Sequence, residues 1–116
     1  MRNDKENLII QLSFKFALSI IEYSEKLEEN RKYVLANQVL KSGTSIGANI
    51  REAQNAESKA DFIHKMKISA KEADETYYWL LLCEASKNYP NPNQLINDLI
   101  EIIKILSKII STSKQK

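Results

Sequence analysis

The residues whose types and spacing suggest catalysis or metal binding are few. Asp61 and His64 stand three positions apart, so a helix would place a carboxylate and an imidazole on one face, as in di-metal helix bundles. Such bundles need carboxylates on all four helices and a second such histidine, and His64 is the only histidine. Glu72 and Glu75 lie one helical turn apart, but Lys71 beside them is typical of a solvated, charge-balanced face. We therefore expect no catalytic residue, no bound metal, no cofactor and no enzymatic activity.

Cations and aromatic residues alternate along the third predicted helix. Lysines can neutralise a phosphate backbone while aromatic rings stack on bases, so this face is a candidate nucleic-acid surface. The alternative is a lattice of surface charges, with Trp79 packing at a subunit contact. The face comprises His64, Lys67, Ile68, Lys71, Glu75, Tyr78, Trp79 and Leu82.

Composition predicts that long helices position these residues. The chain has 116 residues but only two glycines and two prolines, which leaves room for few tight turns. Apolar periodicity and capping residues predict helices over residues 4–28, 31–54, 58–87 and 92–111. Asn30, Ser58 and Asn91 are the expected N-caps. The expected fold is one all-α domain over residues 1–116, an up-down antiparallel four-helix bundle.

The cellular setting is predicted from one cysteine and a polar N-terminus. A lone Cys83 forms no intrachain disulfide and fits a reducing cytoplasm. The first seven positions include two acidic residues, Asp4 and Glu6, where a signal peptide needs an apolar core. The longest strictly apolar run, residues 79–83, is far shorter than the ~20 residues of a membrane span. We expect a soluble cytoplasmic protein without a membrane partner.

Helices 1 and 4 carry more apolar surface than one core needs. The apolar residues of helix 4 fill roughly 220° of its circumference, whereas a bundle core needs about 100°. The excess predicts a homo-oligomer whose interface is built from helices 1 and 4; the alternative is a poorly segregated core with exposed isoleucines. The expected interface residues are Phe14, Leu18, Ile21, Ile96, Ile100 and Ile103.

Residues 41–53 (KSGTSIGANIREA) and 61–80 (DFIHKMKISAKEADETYYWL) resemble the signature of the 23S rRNA-intervening-sequence four-helix-bundle proteins. The resemblance covers about a third of the chain. It implies a bacterial, ribosomal-protein-like, non-enzymatic bundle, and a homo-oligomer such as a closed ring of about five copies. Some members lie in rRNA genes, and a related branch assists the reverse transcriptases of diversity-generating retroelements. The implied partners are the chain itself, RNA or DNA, or a reverse transcriptase.

The residue types of the signature also predict a structural role. Its small residues permit close helix approach, at a cost in helix propensity. Asn49 lies at the edge of the buried face, so its side-chain amide needs hydrogen-bond partners. Glu52 on the same helix is one candidate, and Thr76 or Glu75 across the bundle are the others. Fixing helix register is the predicted role, and direct ligand contact is the alternative. The residues concerned are Ser45, Asn49, Glu52, Glu75 and Thr76.

An up-down topology would polarise this nearly neutral chain. One end would collect residues 1–15, 51–71 and 104–116 with a formal charge of +7, and the other end −5, for a net charge of +2. The basic end is the candidate phosphate-binding surface. Ordinary solubility charge is the competing account, and an oligomeric protein-interaction scaffold without nucleic acid is the alternative function. The expected contacts are Arg51, Lys59, Lys65, Lys67, Lys71, Lys104 and Lys108.

Overall fold

The structure is a computed structural model that describes the backbone of residues 4–115 and the side chains of residues 8–115. It has four helices: α1 (Asp4–Glu29), α2 (Tyr33–Ala53), α3 (Lys59–Ala85) and α4 (Asn93–Gln115). Each helix packs against two others, in the pairs α1–α2, α2–α3, α3–α4 and α1–α4. The described chain is therefore an up-down antiparallel four-helix bundle, as the sequence predicts, and it measures 47 × 20 × 19 Å.

Two of the three predicted N-caps are confirmed. The Ser58 hydroxyl accepts a hydrogen bond from the Asp61 amide at 3.0 Å, and Asp61 Oδ2 accepts one from the Glu57 amide at 3.2 Å. These contacts resemble a capping box, but the Asp61 carboxylate reaches the amide of Glu57 rather than that of the cap residue Ser58. The Asn91 carboxamide oxygen likewise accepts from the Asn93 amide at 2.8 Å. Helix α4 then continues to Gln115, four residues beyond its predicted end.

The third predicted cap, Asn30, is wrong, because this residue belongs to the end of α1. Arg31 adopts a left-handed backbone conformation with φ of 62°. The Arg31 amide donates to the Glu28 carbonyl at 2.9 Å and the Lys32 amide to the Leu27 carbonyl at 2.8 Å, which is a Schellman motif. Helix α2 follows from Lys32 without a side-chain cap.

The core is a continuous column of aliphatic side chains from all four helices. Ile20, Ile46, Met66, Leu80 and Leu99 are fully buried. The sequence predicts an apolar stripe on α3 that comprises Phe62, Met66, Ser69, Ala70, Ala73, Tyr77, Leu80 and Leu81. All of these residues except Leu81, which is 36% exposed, lie in or against the core. The buried positions of α3 alternate in steps of three and four residues up to Cys83, and this spacing leaves Leu81 on the outer side.

One glycine of the signature allows the close approach of α2 to α1. A Cβ at Gly43 would lie 2.8 Å from both γ carbons of the buried Ile20, which is too close for any side chain. At Gly47 the same atom would lie 3.4 Å from Ser13, at the edge of ordinary contact. Gly43 is therefore required for space, and Gly47 is not.

Hydroxyl groups connect α2 to α3. Thr76 Oγ1 lies 2.8 Å from Ser42 Oγ, and the Ser69 hydroxyl donates to the Ile46 carbonyl at 2.8 Å. Asn49 instead donates to the Ser45 carbonyl of its own helix at 2.8 Å. The expected contact from Asn49 to Thr76 or Glu75 is therefore corrected. Register places Ser42 opposite Thr76, two helical turns from Asn49, and Glu75 is exposed.

Candidate nucleic-acid interface

The topology gathers cations of all four helices at one end of the bundle. This basic end consists of described residues 8–15, 51–71 and 104–115, and it carries nine cations against three acids. The acidic end, residues 16–50 and 72–103, has a formal charge of −5. The acids of the basic end are Glu52, Glu57 and Asp61, and its cations are Lys15, Arg51, Lys59, Lys65, Lys67, Lys71, Lys104, Lys108 and Lys114.

Lys67 of α3 and Lys114 of α4 lie side by side. The pKa of the exposed Lys114 ammonium is lowered, because the Lys67 ammonium is within hydrogen-bonding reach and its like charge repels it. The repulsion between two exposed ammonium groups is weak and screened by salt, and a bound anion would reduce it further. Lys114 contributes to the predicted charge of this end but is absent from the predicted contacts. Residues 112–115 are all polar, so the apolar periodicity that predicts α4 gives no signal that the helix continues past Ser111 to Lys114.

The other predicted contacts are distributed around the basic end. Lys71, Lys104 and Lys108 are exposed, as is Lys59 in the first turn of α3. Lys65 is only 31% exposed and forms an ion pair with Glu52 at 3.1 Å, so its charge is partly neutralised. Arg51 is exposed but lines the groove between α1 and α2, away from the α3–α4 side that carries Lys67 and Lys114. The structure thus brings together part of the predicted set.

The aromatic residues of α3 do not lie among these cations. Tyr78 is 56% exposed and contacts Trp79, with 5.4 Å between ring centroids. Tyr78 is seven residues from Lys71, a separation of about 10 Å along a helix. Trp79 is half-buried against the core, and its indole N–H is buried without a hydrogen-bond partner in the described part. The interleaved surface suggested by the sequence is therefore separated into a basic half and an aromatic half.

Comparison with known proteins assigns this bundle to a family. The family model of the 23S rRNA-intervening sequence protein matches residues 5–110. The chain belongs to this family. A similar solved structure is a 1.70 Å crystal structure from Bacteroides thetaiotaomicron, described as a protein with unknown function from the S23 ribosomal protein family. It shares 44% identity, covers 92% of this chain and 98% of its own, and has a TM-score of 0.86. No curated protein matches significantly.

The candidate catalytic and metal-binding residues of this family member are not gathered into a site. His64 is exposed, and within residues 4–115 no three metal-ligating side chains cluster. Cys83 is buried beside Tyr23, and burial raises the pKa of its thiol, which keeps it protonated and unreactive. Along the same residues, no helix is both long and apolar enough to span a membrane.

The six predicted interface residues differ in exposure between α1 and α4. On α1, Phe14, Leu18 and Ile21 are 65%, 50% and 40% exposed. On α4, Ile96 is only 8% exposed, and Ile100 and Ile103 are half-buried against the core. Much of the excess apolar arc of α4 is thus covered within the chain. The exposed apolar surface next to α1 belongs instead to α2, where Leu40 is 38% exposed.

Two grooves flank α1. One, of about 570 Å³, lies between α1 and α2 and is lined by Phe14, Ala17, Gly47, Ala48 and Arg51, among others. The other, of about 430 Å³, lies between α1 and α4 and reaches the core residues Phe16 and Ile102. Its rim carries Lys15, Asp98 and Glu101, so its charge is mixed. The first groove combines the exposed aromatic ring of Phe14 with small residues of both helices.

Proposed function

We propose that this family member is a non-enzymatic, homo-oligomeric four-helix bundle that binds the phosphate backbone of a nucleic acid through its basic end. The observation that supports binding most is the concentration of nine cations against three acids at one end of a nearly neutral chain. The apolar ridge on α1 supports assembly. In an assembly of parallel copies, the basic ends would lie on the same side and form one extended basic surface.

The chemistry of this end suits a polyanion. Among residues 8–115, one ion pair engages its cations, between Lys65 and Glu52, so most of the ammonium groups remain free. A phosphate placed between Lys67 and Lys114 would relieve their mutual repulsion. Displacement of condensed counterions by lysines supplies most of the affinity in such complexes and depends steeply on salt. Contacts of this kind position a backbone without reading sequence.

RNA is the first ligand to test. The family name refers to sequences that interrupt 23S rRNA, which makes RNA the nearest candidate polyanion. The separation of Tyr78 and Trp79 from the basic end disfavours base stacking beside the phosphate contacts. We therefore expect binding with little sequence preference and similar affinity for single strands of different composition.

A protein-interaction scaffold is the second candidate function. The exposed Phe14, Leu18 and Ile21 form an apolar line that suits a protein surface better than a phosphate backbone. If this is the whole function, the basic end serves solubility, and the protein will bind RNA only as weakly as any chain of equal charge.

The test compares two double variants of equal net charge. Lys67→Glu with Lys71→Glu reverses two exposed cations of the basic end, and Lys26→Glu with Lys87→Glu reverses two exposed cations of the acidic end. Affinity for a mixed-sequence single-stranded RNA is measured by fluorescence anisotropy. We expect at least a tenfold loss in the first variant and less than threefold in the second. Equal losses in the two folded variants would contradict a localised site.

A further inference from the structure

The exposed residues of α1 form a ridge that no part of the described chain covers. Phe14, Leu18, Ile21 and Glu25 follow i, i+4, i+7 and i+11 spacing, so they lie in one line along the outer side of the helix. Three of the four are large apolar side chains that are 40–65% exposed. A line of this kind on a small bundle indicates a surface that is buried in an assembly.

The residues on the outer side of α2 have the same spacing as the ridge of α1, but they form a shallow surface rather than a ridge. Asn37, Lys41, Thr44 and Ala48 also follow i, i+4, i+7 and i+11, and all but the half-buried Thr44 are exposed. Thr44 and Ala48 are small, and both line the α1–α2 groove. The outer side of α2 is therefore a shallow strip, suited to receive a bulky ridge.

The register between α1 and α2 shows which positions lie at equal height. A Cβ at Gly47 would meet Ser13 and one at Gly43 would meet Ile20, and the Ser24 hydroxyl donates to the Ala36 carbonyl at 3.0 Å. Residues 13, 20 and 24 therefore lie level with residues 47, 43 and 36. The same register places each residue of the α1 ridge at the height of one residue of the α2 strip. The pairs are Phe14 and Ala48, Leu18 and Thr44, Ile21 and Lys41, and Glu25 and Asn37.

We propose that the ridge of α1 packs onto the strip of α2 of a second copy of this chain, with the two bundles parallel and at equal height. The inference rests on the homo-oligomer of the proposed function and specifies its surfaces. Phe14 and Leu18 then contact Ala48 and Thr44 of the neighbour, and Ile21 contacts the aliphatic stem of its Lys41. The α4 half of the interface expected from the sequence is replaced by α2.

Charge complementarity supports this pairing. Glu25 ends the ridge and Glu22 lies beside Ile21, and Lys41 is the cation of the strip at the height of Ile21. Packing α1 against α1 of a parallel copy would instead place Glu22 beside Glu22 and Glu25 beside Glu25. Like charges directly opposed disfavour that arrangement, so the ridge selects α2 over a second α1.

Site-directed cross-linking tests the pairing. Glu22→Cys and Lys41→Cys are prepared as separate proteins, mixed to allow subunit exchange and treated with a short bis-maleimide. We expect a cross-linked two-chain product in the mixture and none in either protein alone. The wild type is the control, since its Cys83 is 1% exposed. Self-cross-linking of the Glu22→Cys protein would overturn the proposal in favour of α1 against α1.

A charge swap provides the second measurement. Glu22→Lys and Lys41→Glu should each raise the monomer fraction several-fold in light scattering at low salt, and the double variant should restore the wild-type mass. The matched control combines Glu84→Lys with Lys87→Glu, exposed on α3 and just beyond its end, and should change nothing. A double variant that remains as dissociated as the single variants would contradict the pairing.

The mass of the wild type separates this inference from the function on which it rests. An oligomer that gives no mixed cross-link would overturn the α1–α2 contact and leave homo-oligomerisation intact. A 13.4 kDa species at micromolar concentration would overturn both. RNA affinity is measured independently and does not depend on either result.

Discussion

The two ends of the bundle use their polar side chains differently. At the acidic end, the Tyr23 hydroxyl donates to the Pro90 carbonyl at 2.6 Å, and the Lys32 ammonium lies 4.9 Å from the Tyr89 ring centroid. These contacts hold the α3–α4 connection against α1 and the start of α2. At the basic end, the described ion pair is Lys65–Glu52, and Lys67 and Lys114 repel each other. Polar side chains hold a helix connection at the acidic end, whereas among the described residues of the basic end a single ion pair, Lys65–Glu52, engages the cations.

The largest expected loss of stability lies within the acidic end, where α1 and α2 are closest. Gly43→Ala places a Cβ against the branched carbons of Ile20, which is fully buried and has no free space. We expect a loss of about 1–3 kcal/mol in the free energy of unfolding, measured by urea denaturation. Gly47→Ala is the control and should be neutral or stabilising by up to about 1 kcal/mol, since its Cβ fits and alanine favours helix. Equal losses would mean that packing at Gly43 is not special.

The next largest loss of stability is expected from the hydrogen bond between α1 and the α3–α4 connection. Tyr23→Phe removes the hydroxyl and leaves the Pro90 carbonyl without this donor. We expect a loss of about 1–2 kcal/mol, because the bond is largely shielded from water. Tyr33→Phe, at a position that is 57% exposed, is the matched control and should change stability by less than about 0.5 kcal/mol. A Tyr23 variant as stable as this control would show that the contact does not hold the connection.

A stabilising change is expected at Arg31. This residue occupies the left-handed position of the Schellman motif, which glycine adopts without strain. Arg31→Gly should raise the melting temperature, corresponding to about 0.5–1 kcal/mol, whereas Arg31→Ala should not. If glycine and alanine have the same effect, charge rather than backbone conformation determines the contribution of this residue.

The smallest effect is expected at the basic end. Lys67→Ala removes one of two neighbouring ammonium groups, so the variant should be as stable as the wild type or slightly more stable. Any gain should disappear in high salt, because the repulsion is exposed to solvent and screened. Lys26→Ala, at an exposed position of the acidic end, serves as the control. A clear loss of stability in the Lys67 variant would mean that this lysine supports the fold.

The fold was predictable because its signals are local. Apolar periodicity, the Ser58 cap and the Asn91 cap each determine a helix boundary from a few adjacent residues. Asn30 failed as a cap because the Schellman motif at Arg31 requires a left-handed residue, and arginine gives no sign of that conformation. Local rules therefore predict the elements better than the connections between them.

The pairing of side chains between helices was less predictable because it depends on register. Thr76 was correctly expected at a contact between helices, but its hydrogen-bond partner is Ser42 rather than Asn49. The two candidate partners lie two helical turns apart on α2, so the register of the helices determines which of them Thr76 meets. The apolar arc of α4 was likewise broad enough for an interface, yet Ile96 is covered within the chain. The charge of the two ends was easier to predict, since it follows from the direction of each helix alone.

The most direct measurement of the central claim is the salt dependence of RNA binding. Affinity of the wild type and of the Lys67→Ala, Lys71→Ala, Lys114→Ala triple variant for a mixed-sequence single-stranded RNA is measured at several salt concentrations. Each lost phosphate contact should reduce the slope of log K against log salt by about 0.7, so the triple variant should lose about 2. An unchanged slope in a folded triple variant would contradict phosphate binding at the basic end.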